Sequence, residues 1–245
     1  MVAFLIRRCF VLLAILLALS ATPAMAALII WDFTTAGDPG PGLTLYTDPG
    51  FSVVFDGDWA VFAGGGTGFA RLLTDAWYSG DFTAVTVANR MSLSVGAGLG
   101  LVAYYSFPPV GDAMFDDVYL NGSSYVTSFI YVASTHYEFG EVADPSATVW
   151  LRLQRTGSMV SSDYCVGTDY LTCAWVPLTS MSDSSLAGPV RIGLFLGPGQ
   201  ATNQGKFDIL AVDGNSVPEP ATASLLGAGI LALACLRLRA ARKPS

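Results

Sequence analysis

The sequence predicts an all-β body folded as a two-sheet antiparallel β-sandwich. β-Branched and aromatic residues alternate with polar ones at a period of two, as in half-buried strands. Turn-forming Gly, Pro, Asn and Asp residues divide these runs at intervals of about 8–12 residues, and no body stretch shows a helical period. The candidate strands are 28–33, 51–55, 59–63, 69–74, 82–88, 91–95, 99–106, 114–120, 125–134, 148–155, 190–197 and 206–212.

The N-terminus, residues 1–26, has the pattern of a secretory signal peptide. Arg7 and Arg8 precede an apolar run over 9–19, and Ala24-Met25-Ala26 supplies small residues for cleavage by signal peptidase after Ala26. The alternative is an uncleaved anchor, but its apolar run is shorter than the ~20 residues that a membrane span needs. We therefore expect export and removal of this segment.

The C-terminus carries a second apolar segment, predicted as a transmembrane helix over 221–236. A helix of this length covers about 24 Å of the ~30 Å hydrocarbon layer, so it spans only marginally. A basic tail over 237–245 follows, and the positive-inside rule places it in the cytoplasm with the body outside. The alternative, a buried helix of the body, does not explain the basic cluster, which consists of Arg237, Arg239, Arg242 and Lys243.

The last 29 residues, 217–245, resemble a PEP-CTERM sorting signal. The resemblance rests on Pro218-Glu219-Pro220 in the linker predicted over 214–220, on the short apolar helix, and on the terminal basic cluster. Cys235 within the helix and Pro244-Ser245 after the cluster depart slightly from the pattern. The resemblance implies processing near the Pro-Glu-Pro motif by an exosortase, a membrane cysteine protease. The implied route is a transient inner-membrane anchor with a periplasmic body, then the cell surface or extracellular matrix.

The remaining body, predicted as one domain over 27–213, is strongly acidic. Six of the 12 Lys and Arg residues and 18 of the 19 Asp and Glu residues fall between 27 and 216, which gives a net charge of −12. Such a body repels nucleic acid and anionic lipid surfaces. With no basic patch, a nucleic-acid-binding role is excluded.

Two cysteines belong to the body, Cys165 and Cys173. Turn-forming residues separate two strand-like runs, and a hairpin centred on Asp169 would bring the cysteines within the ~5.5 Å Cα separation of a disulfide. A metal pair is the alternative, but it lacks partner ligands because the chain has one His. In an oxidising compartment we predict a structural disulfide.

The second half of the body resembles the concanavalin A-like lectin/glucanase superfamily. The series is VWLRLQRTG, the hairpin through Trp175, PVRIGLFLG and KFDILAVDG. The segment GDFTAVTVANRMSLSVGAGLGLVAYYS resembles the earlier strands of the same fold, and the resemblance covers 56–214. The resemblance implies a two-sheet jelly roll with a concave outer face. Many such domains bind glycans and some cleave them.

Strand alternation in 148–155 points Val149, Leu151 and Leu153 into the core and the residues between them outward. If this strand and 190–197 share a concave sheet, an aromatic ring and planar donors would line one glycan-binding surface. The alternative is an ordinary outward face with the tryptophan covered by a loop. The candidate ligand-binding residues are Trp150, Arg152, Gln154 and Arg191.

Asp-rich segments raise the question of calcium, because carboxylates are the oxygen ligands it prefers. Asp56-Gly57-Asp58 and Asp112 with Asp116-Asp117 are the candidates, but no complete ligand spacing is present. The alternative is turn chemistry, in which Asp side chains bond to nearby backbone N–H groups. We predict no metal or other cofactor, with calcium as the alternative.

The body offers little for catalysis. Its only glutamates, Glu138 and Glu141, are three apart and would point to opposite faces of a strand, so they pair poorly for glycoside hydrolysis. The single histidine, His136, has no Gly-x-Ser-x-Gly elbow beside it. We predict a non-catalytic, exported surface or matrix protein that binds glycan or exopolysaccharide. A glycan-active hydrolase and a purely structural surface protein are the alternatives.

Overall fold

The structure, a computed structural model, describes residues 27–105, 115–132, 136–169 and 171–217. The predicted signal peptide, the Pro-Glu-Pro motif, the predicted transmembrane helix and the basic tail lie outside these ranges. Within them, no helix is both long and apolar enough to cross a membrane. The elements are β1 (Ala27–Trp31), β2 (Leu43–Thr47), β3 (Phe51–Phe55), β4 (Ala60–Gly66), β5 (Ala70–Thr74), β6 (Trp77–Ser92), β7 (Gly98–Tyr104), β8 (Phe115–Asn121), β9 (Tyr125–Val132), β10 (His136–Ala143), β11 (Thr148–Thr156), β12 (Met159–Cys165), β13 (Val176–Ser182), a 3-10 turn (Ser184–Ala187), β14 (Arg191–Leu196) and β15 (Gly199–Val217).

The strands form two antiparallel sheets, as the sequence predicts. Sheet A has the order β13-β12-β11-β6-β15-β4-β3, with β1 also paired to β15. Sheet B has the order β10-β9-β8-β7-β14-β5-β2. The predicted two-sheet antiparallel sandwich is therefore confirmed.

The last strand, β15, lies in the middle of sheet A. One of its edges pairs with β6 along most of its length, and the other pairs with β4 and then with β1. The predicted linker over 214–220 is wrong at its start, because 215–217 continue this strand opposite Ser79, Tyr78 and Trp77. The long N-terminal half of β6 supplies the backbone partners that extend it.

The sequence misses two strands of sheet B and places one strand wrongly. The β2 and β10 strands were absent from the predicted strands. The β12 and β13 strands of sheet A were also absent from that list, although strand-like runs were expected on either side of a hairpin at Asp169. The predicted strand 91–95 does not form. Met91 and Ser92 end β6, and a turn follows in which the N–H of Ala97 donates to the carbonyl of Ser94.

The core lies between the sheets and takes alternate residues from both. Leu151 and Leu153 from β11 pack with Leu99 and Leu101 from β7, all fully buried. The inward orientation predicted for β11 is confirmed, and burial of such side chains is the main stabilising term. Sheet faces away from this core are the outer faces.

The two sheets also meet at one edge, where β10 lies close to β13. Gly140 of β10 sits against the Leu178 carbonyl, and a Cβ at position 140 would lie 2.3 Å from that oxygen. Because only glycine fits this approach, we infer that it fixes β10 against the neighbouring sheet.

Candidate functional site

The predicted binding residues of β11 lie together on the outer face of sheet A, and the protein itself occupies their polar groups. The Trp150 indole N–H donates to the Gly167 carbonyl at 3.1 Å. The Arg152 guanidinium donates to the Asp163 carboxylate at 3.0 Å and lies 4.1 Å from the centre of the Trp175 ring. The Gln154 amide donates to the Thr83 hydroxyl at 3.3 Å. Each of these three side chains therefore has a partner within the protein.

A disulfide loop supplies two of those partners. Cys165 and Cys173 are bonded, with their Cα atoms 6.1 Å apart, which confirms the predicted bridge. The loop is longer than the tight hairpin expected, since Cys173 precedes β13 and is not in its ladder with β12. It brings Gly167 and Trp175 over β11, so Trp150 lies under a loop, which is the alternative arrangement considered from the sequence.

Arg191 does not join this surface. It belongs to β14 in sheet B, on the opposite side of the sandwich, and its residue is only 5% exposed. Its guanidinium donates to the Thr74 carbonyl at 2.6 Å and the Tyr46 hydroxyl at 3.2 Å, and lies 3.5 Å from the Asp75 carboxylate. The expectation that four residues line one surface is wrong, because the two strands belong to different sheets.

The outer face of sheet B carries a second group of aromatic and polar side chains. Strand register aligns Tyr119, Thr127 and Glu141 in one row across β8, β9 and β10, and Asp117, Phe129 and Phe139 in the next. Alternation places all of them away from the core. We call the following set the outer strip: Tyr119, Asn121, Phe129, Phe139 and Glu141.

The outer strip presents an aromatic pair to solvent. The rings of Phe129 and Phe139 lie 5.1 Å apart at a tilt of 57°, and Phe139 is 48% exposed. Beside them, the exposed Glu141 carboxylate accepts from the Asn121 amide and the buried Thr127 hydroxyl, both at 3.4 Å. Hydrogen bonds of this length are weak, so the carboxylate can accept shorter ones from a ligand.

Tyr119, a member of the outer strip, packs against Gly100. Gly100 lies in register between Tyr119 and Phe195, and their rings meet edge to face with centroids 5.8 Å apart. A Cβ at position 100 would lie 2.2 Å from the Val118 carbonyl. Burial, and then the carboxylates of Asp117 and Glu141, raise the pKa of the Tyr119 hydroxyl, so it keeps its proton and remains a hydrogen-bond donor.

Hydrogen bonds to β9 hold Asp117 in place beside the outer strip. Its carboxylate accepts from the Phe129 N–H at 3.0 Å, and its carbonyl accepts from the Ser128 hydroxyl at 2.8 Å. Ser128 in turn accepts from the Ser162 hydroxyl of sheet A at 2.6 Å, and both serines are fully buried. This polar bridge through an apolar core holds β8 and β9 in register beneath the strip.

The candidate calcium ligands take other roles where the structure describes them. The Asp56 carboxylate accepts from the N–H groups of Asp58 and Trp59 at 3.0 and 2.8 Å, and these bonds lower its pKa. This is the turn chemistry considered as the alternative. Asp112 and the Asp116 side chain lie outside the described part. Within that part, no three His, Cys, Asp or Glu side chains form a metal-binding group.

The glutamates of β10 lie as the sequence predicts, on opposite faces. Glu138 is paired with Ile130, a core residue, whereas Glu141 is paired with Thr127 of the outer face. His136 begins β10 opposite Val132, at the end away from Glu141.

Sequence reasoning missed the outer strip as a unit. It weighed Asp117 and Glu141 for other roles and did not consider Tyr119, Phe129 or Phe139. Alternation in β8 and β9 could have assigned these side chains to one face. Only the registers of two successive hairpins, however, bring positions 119, 127 and 141 into one row.

Comparison with known proteins defines the fold. No family model matches the chain, and no curated protein matches its sequence. Among solved structures, the exoplasmic/lumenal domain of VIP36 in its Ca²⁺-bound form matches with a TM-score of 0.57 and 9% identity. That match covers 79% of this chain and 92% of the VIP36 domain. The sandwich is concanavalin A-like.

Two further structures share this fold. The Emp46p carbohydrate recognition domain, in metal-free form, matches with a TM-score of 0.55 at 12% identity, over 74% of this chain and 94% of that one. The GH43 protein BlXynB from Bacillus licheniformis matches with a TM-score of 0.56 at 13% identity, over 76% of this chain and 39% of that one. The resemblance in the sequence to the lectin/glucanase superfamily is thus confirmed as a likeness of fold.

Proposed function

We propose that this protein is a non-catalytic glycan-binding sandwich, and that the outer strip of sheet B is its binding surface. The observation that carries the proposal is the exposed Phe129–Phe139 pair beside the Glu141 carboxylate and the Asn121 amide. Aromatic rings stack on the apolar faces of sugars, while neighbouring carboxylate and amide groups bond to hydroxyls.

The fold supports this assignment. The Emp46p domain is named for carbohydrate recognition, and VIP36 is known in a Ca²⁺/Man2-bound form. The outer face of sheet A is a weaker candidate, because Trp150, Arg152 and Gln154 already have partners within the protein. The proposal therefore moves the binding surface predicted from the sequence to the other sheet.

Binding to a glycan array or to exopolysaccharide from the native host, measured with the full chain, tests the proposal. Phe139→Ala removes one ring of the exposed pair and should weaken binding about tenfold, the equivalent of roughly 1.4 kcal/mol. Trp150→Ala, the matched aromatic truncation on sheet A, should leave binding unchanged. Binding lost with Trp150→Ala and kept with Phe139→Ala would assign the site to sheet A instead.

A second candidate function is glycan hydrolysis on the same face. It is favoured by two carboxylates, Asp117 and Glu141, that lie near enough to Tyr119 for both to raise its pKa. Retaining hydrolases need a carboxylate pair about 5–5.5 Å apart, and inverting ones a wider pair. Release of reducing sugar that is abolished by Glu141→Gln would favour the enzyme over the binding protein.

We also propose that the tail sorts the protein, in line with the PEP-CTERM resemblance. In this proposal signal peptidase removes 1–26, the 221–236 helix holds the body outside the inner membrane, and an exosortase cuts near Pro218-Glu219-Pro220. The disulfide supports an oxidising, extracytoplasmic compartment. Mass spectrometry of the mature C-terminus in the native host tests this. Loss of the segment after the motif is expected, and an intact Ser245 would contradict it.

A further inference from the structure

The three strands that carry the outer strip differ in charge from an ordinary sheet surface. Strands β8, β9 and β10 contain four carboxylate residues and no Lys or Arg; they are Asp116, Asp117, Glu138 and Glu141. Alternation places Asp117 and Glu141 on the outer face with the aromatic pair. The ligand-facing charge of the strip is therefore negative.

The guanidinium groups of the same face are directed elsewhere. Arg71 of β5 lies beyond Phe195 and Gly100 in the row of Tyr119, where it stacks 4.2 Å from the centre of the Phe69 ring and donates to the Tyr104 hydroxyl at 3.0 Å. Arg191 is buried and donates to Thr74 and Tyr46. Among the described residues, no ion pair joins either cation to Glu141.

The same two carboxylates also lie close enough to Tyr119 to act on its hydroxyl. After burial, the charges of Asp117 and Glu141 are the next causes that raise the pKa of its hydroxyl. Both carboxylates thus act on the space beside the aromatic rings. The body as a whole carries a net charge of −12, which adds a repulsion for anions that is not local to the strip.

From these observations we infer that the outer strip selects glycans that carry protonated amino groups, such as partly deacetylated amino-sugar chains, over neutral or uronate-containing chains. This inference rests on the proposed glycan binding. An ammonium group on a sugar stacked against Phe139 would donate to the Glu141 carboxylate in a charge-assisted hydrogen bond. A uronate in the same position would face a carboxylate with no cation beside it.

The test compares three oligosaccharides of equal length with the full chain at low salt and mildly acidic pH: glucosamine, N-acetylglucosamine and a uronic acid oligomer. The glucosamine oligomer should bind most tightly and the uronate oligomer least. Glu141→Gln should reduce the advantage of glucosamine over N-acetylglucosamine about twofold to fivefold, as expected for a solvent-exposed ion pair. N-acetylglucosamine carries no positive charge, so its binding should fall by a smaller factor than that of glucosamine.

Glu138→Gln is the matched control, since it makes the same charge change on the same strand but on the opposite face. It should leave the preference intact. The inference is overturned if both variants reduce the preference for glucosamine equally, or if the acetylated and free-amine oligomers bind equally well. The proposed function still stands in that case, provided that Phe139→Ala weakens binding. If none of the three oligomers, nor any array glycan, binds in a manner sensitive to Phe139→Ala, the proposed function fails and the inference fails with it.

Discussion

The two outer faces of the sandwich bear similar side chains and use them in opposite ways. On sheet A, Arg152 lies between the Asp163 carboxylate and the Trp175 ring, and only 21% of its side chain is exposed. On sheet B, Phe139 and Glu141 lie at the surface. Phe139 packs against Phe129, and the Glu141 carboxylate accepts only long hydrogen bonds. A face with aromatic and polar residues is therefore a binding candidate only where the protein leaves those groups accessible.

Of the variants that distinguish the two faces, the one that removes the disulfide should have the largest effect on stability. Replacing both cysteines, Cys165→Ser with Cys173→Ser, removes the constraint on the loop that covers sheet A. Closing a loop of this length by a disulfide contributes about 2–3 kcal/mol to the free energy of unfolding, so we expect a loss of that size. Urea unfolding measures it.

The same double variant should bind glycan as the parent does at temperatures where it remains folded, because the outer strip lies on the other sheet. Circular dichroism shows whether the sandwich is intact. Loss of binding in a folded double variant would mean that the covered face takes part in recognition, and the contrast between the two faces would fail.

A smaller effect is expected from Arg152→Ala. This variant removes the ion pair with Asp163 and the cation–π contact with Trp175, and leaves a largely buried carboxylate without its partner. We expect a loss of about 1–2 kcal/mol of unfolding free energy. Chemical denaturation measures this, and Arg152→Lys, which keeps the charge but not the planar contact, should recover only part of it. An Arg152→Ala variant as stable as the parent would show that these contacts contribute little.

The smallest effect concerns Glu141→Gln on sheet B. Because Glu141 is exposed, we expect its replacement to change the stability at neutral pH by no more than about 0.5 kcal/mol. It should nevertheless lower the Tyr119 pKa, since the Glu141 charge is one cause of its elevation. Ultraviolet titration of the tyrosines measures this, with Tyr78 as the internal control because burial alone raises its pKa to about 12. A Tyr119 pKa unmoved by Glu141→Gln would show that the Glu141 charge does not act on this hydroxyl.

The direction of the alkaline transition follows from the same two tyrosines. A pKa raised in the folded state means that the hydroxyl holds its proton more tightly than in the unfolded chain, whose tyrosines have the ordinary value of 10.0. The contribution of this pKa difference to the free energy of unfolding is present in full below pH 10. It is lost as the pH rises through the pKa values of the folded protein. Tyr119→Phe should therefore reduce the fall in stability above this pH.

The sequence predicts the interior of this protein better than its surfaces. The alternation of Val149, Leu151 and Leu153 is enough to orient β11, because burial on one face imposes a period of two. Cys165 and Cys173 could be paired because they are the only body cysteines. Assignment of β11 and β14 to particular sheets could not be predicted, because pairing between distant strands leaves no local signal. Arg191 was misplaced for that reason.

The residues of the outer strip could not be grouped from the sequence for the same reason. Residues 119 and 141 meet through two hairpin registers, and β10, which carries two of the five strip residues, was not predicted as a strand at all. Edge strands need only one hydrogen-bonded neighbour, so their sequences vary more than those of central strands. The exposure of these side chains could not be predicted either. It depends on whether a distant loop, such as the one that contains Gly167, covers the face.

The position of β15 has a consequence for how the chain reaches its native state. Ala27 pairs with Gly214, and the strand that contains Gly214 also completes the pairing of β4 and β6. The β1, β4 and β6 strands must therefore each wait, with an unpaired edge, until almost the whole body has been delivered to one compartment. Such non-local pairing slows folding and prolongs the exposure of aggregation-prone edges. Delivery would precede folding here, and a chaperone that shields open strands during that interval should raise the yield of folded protein.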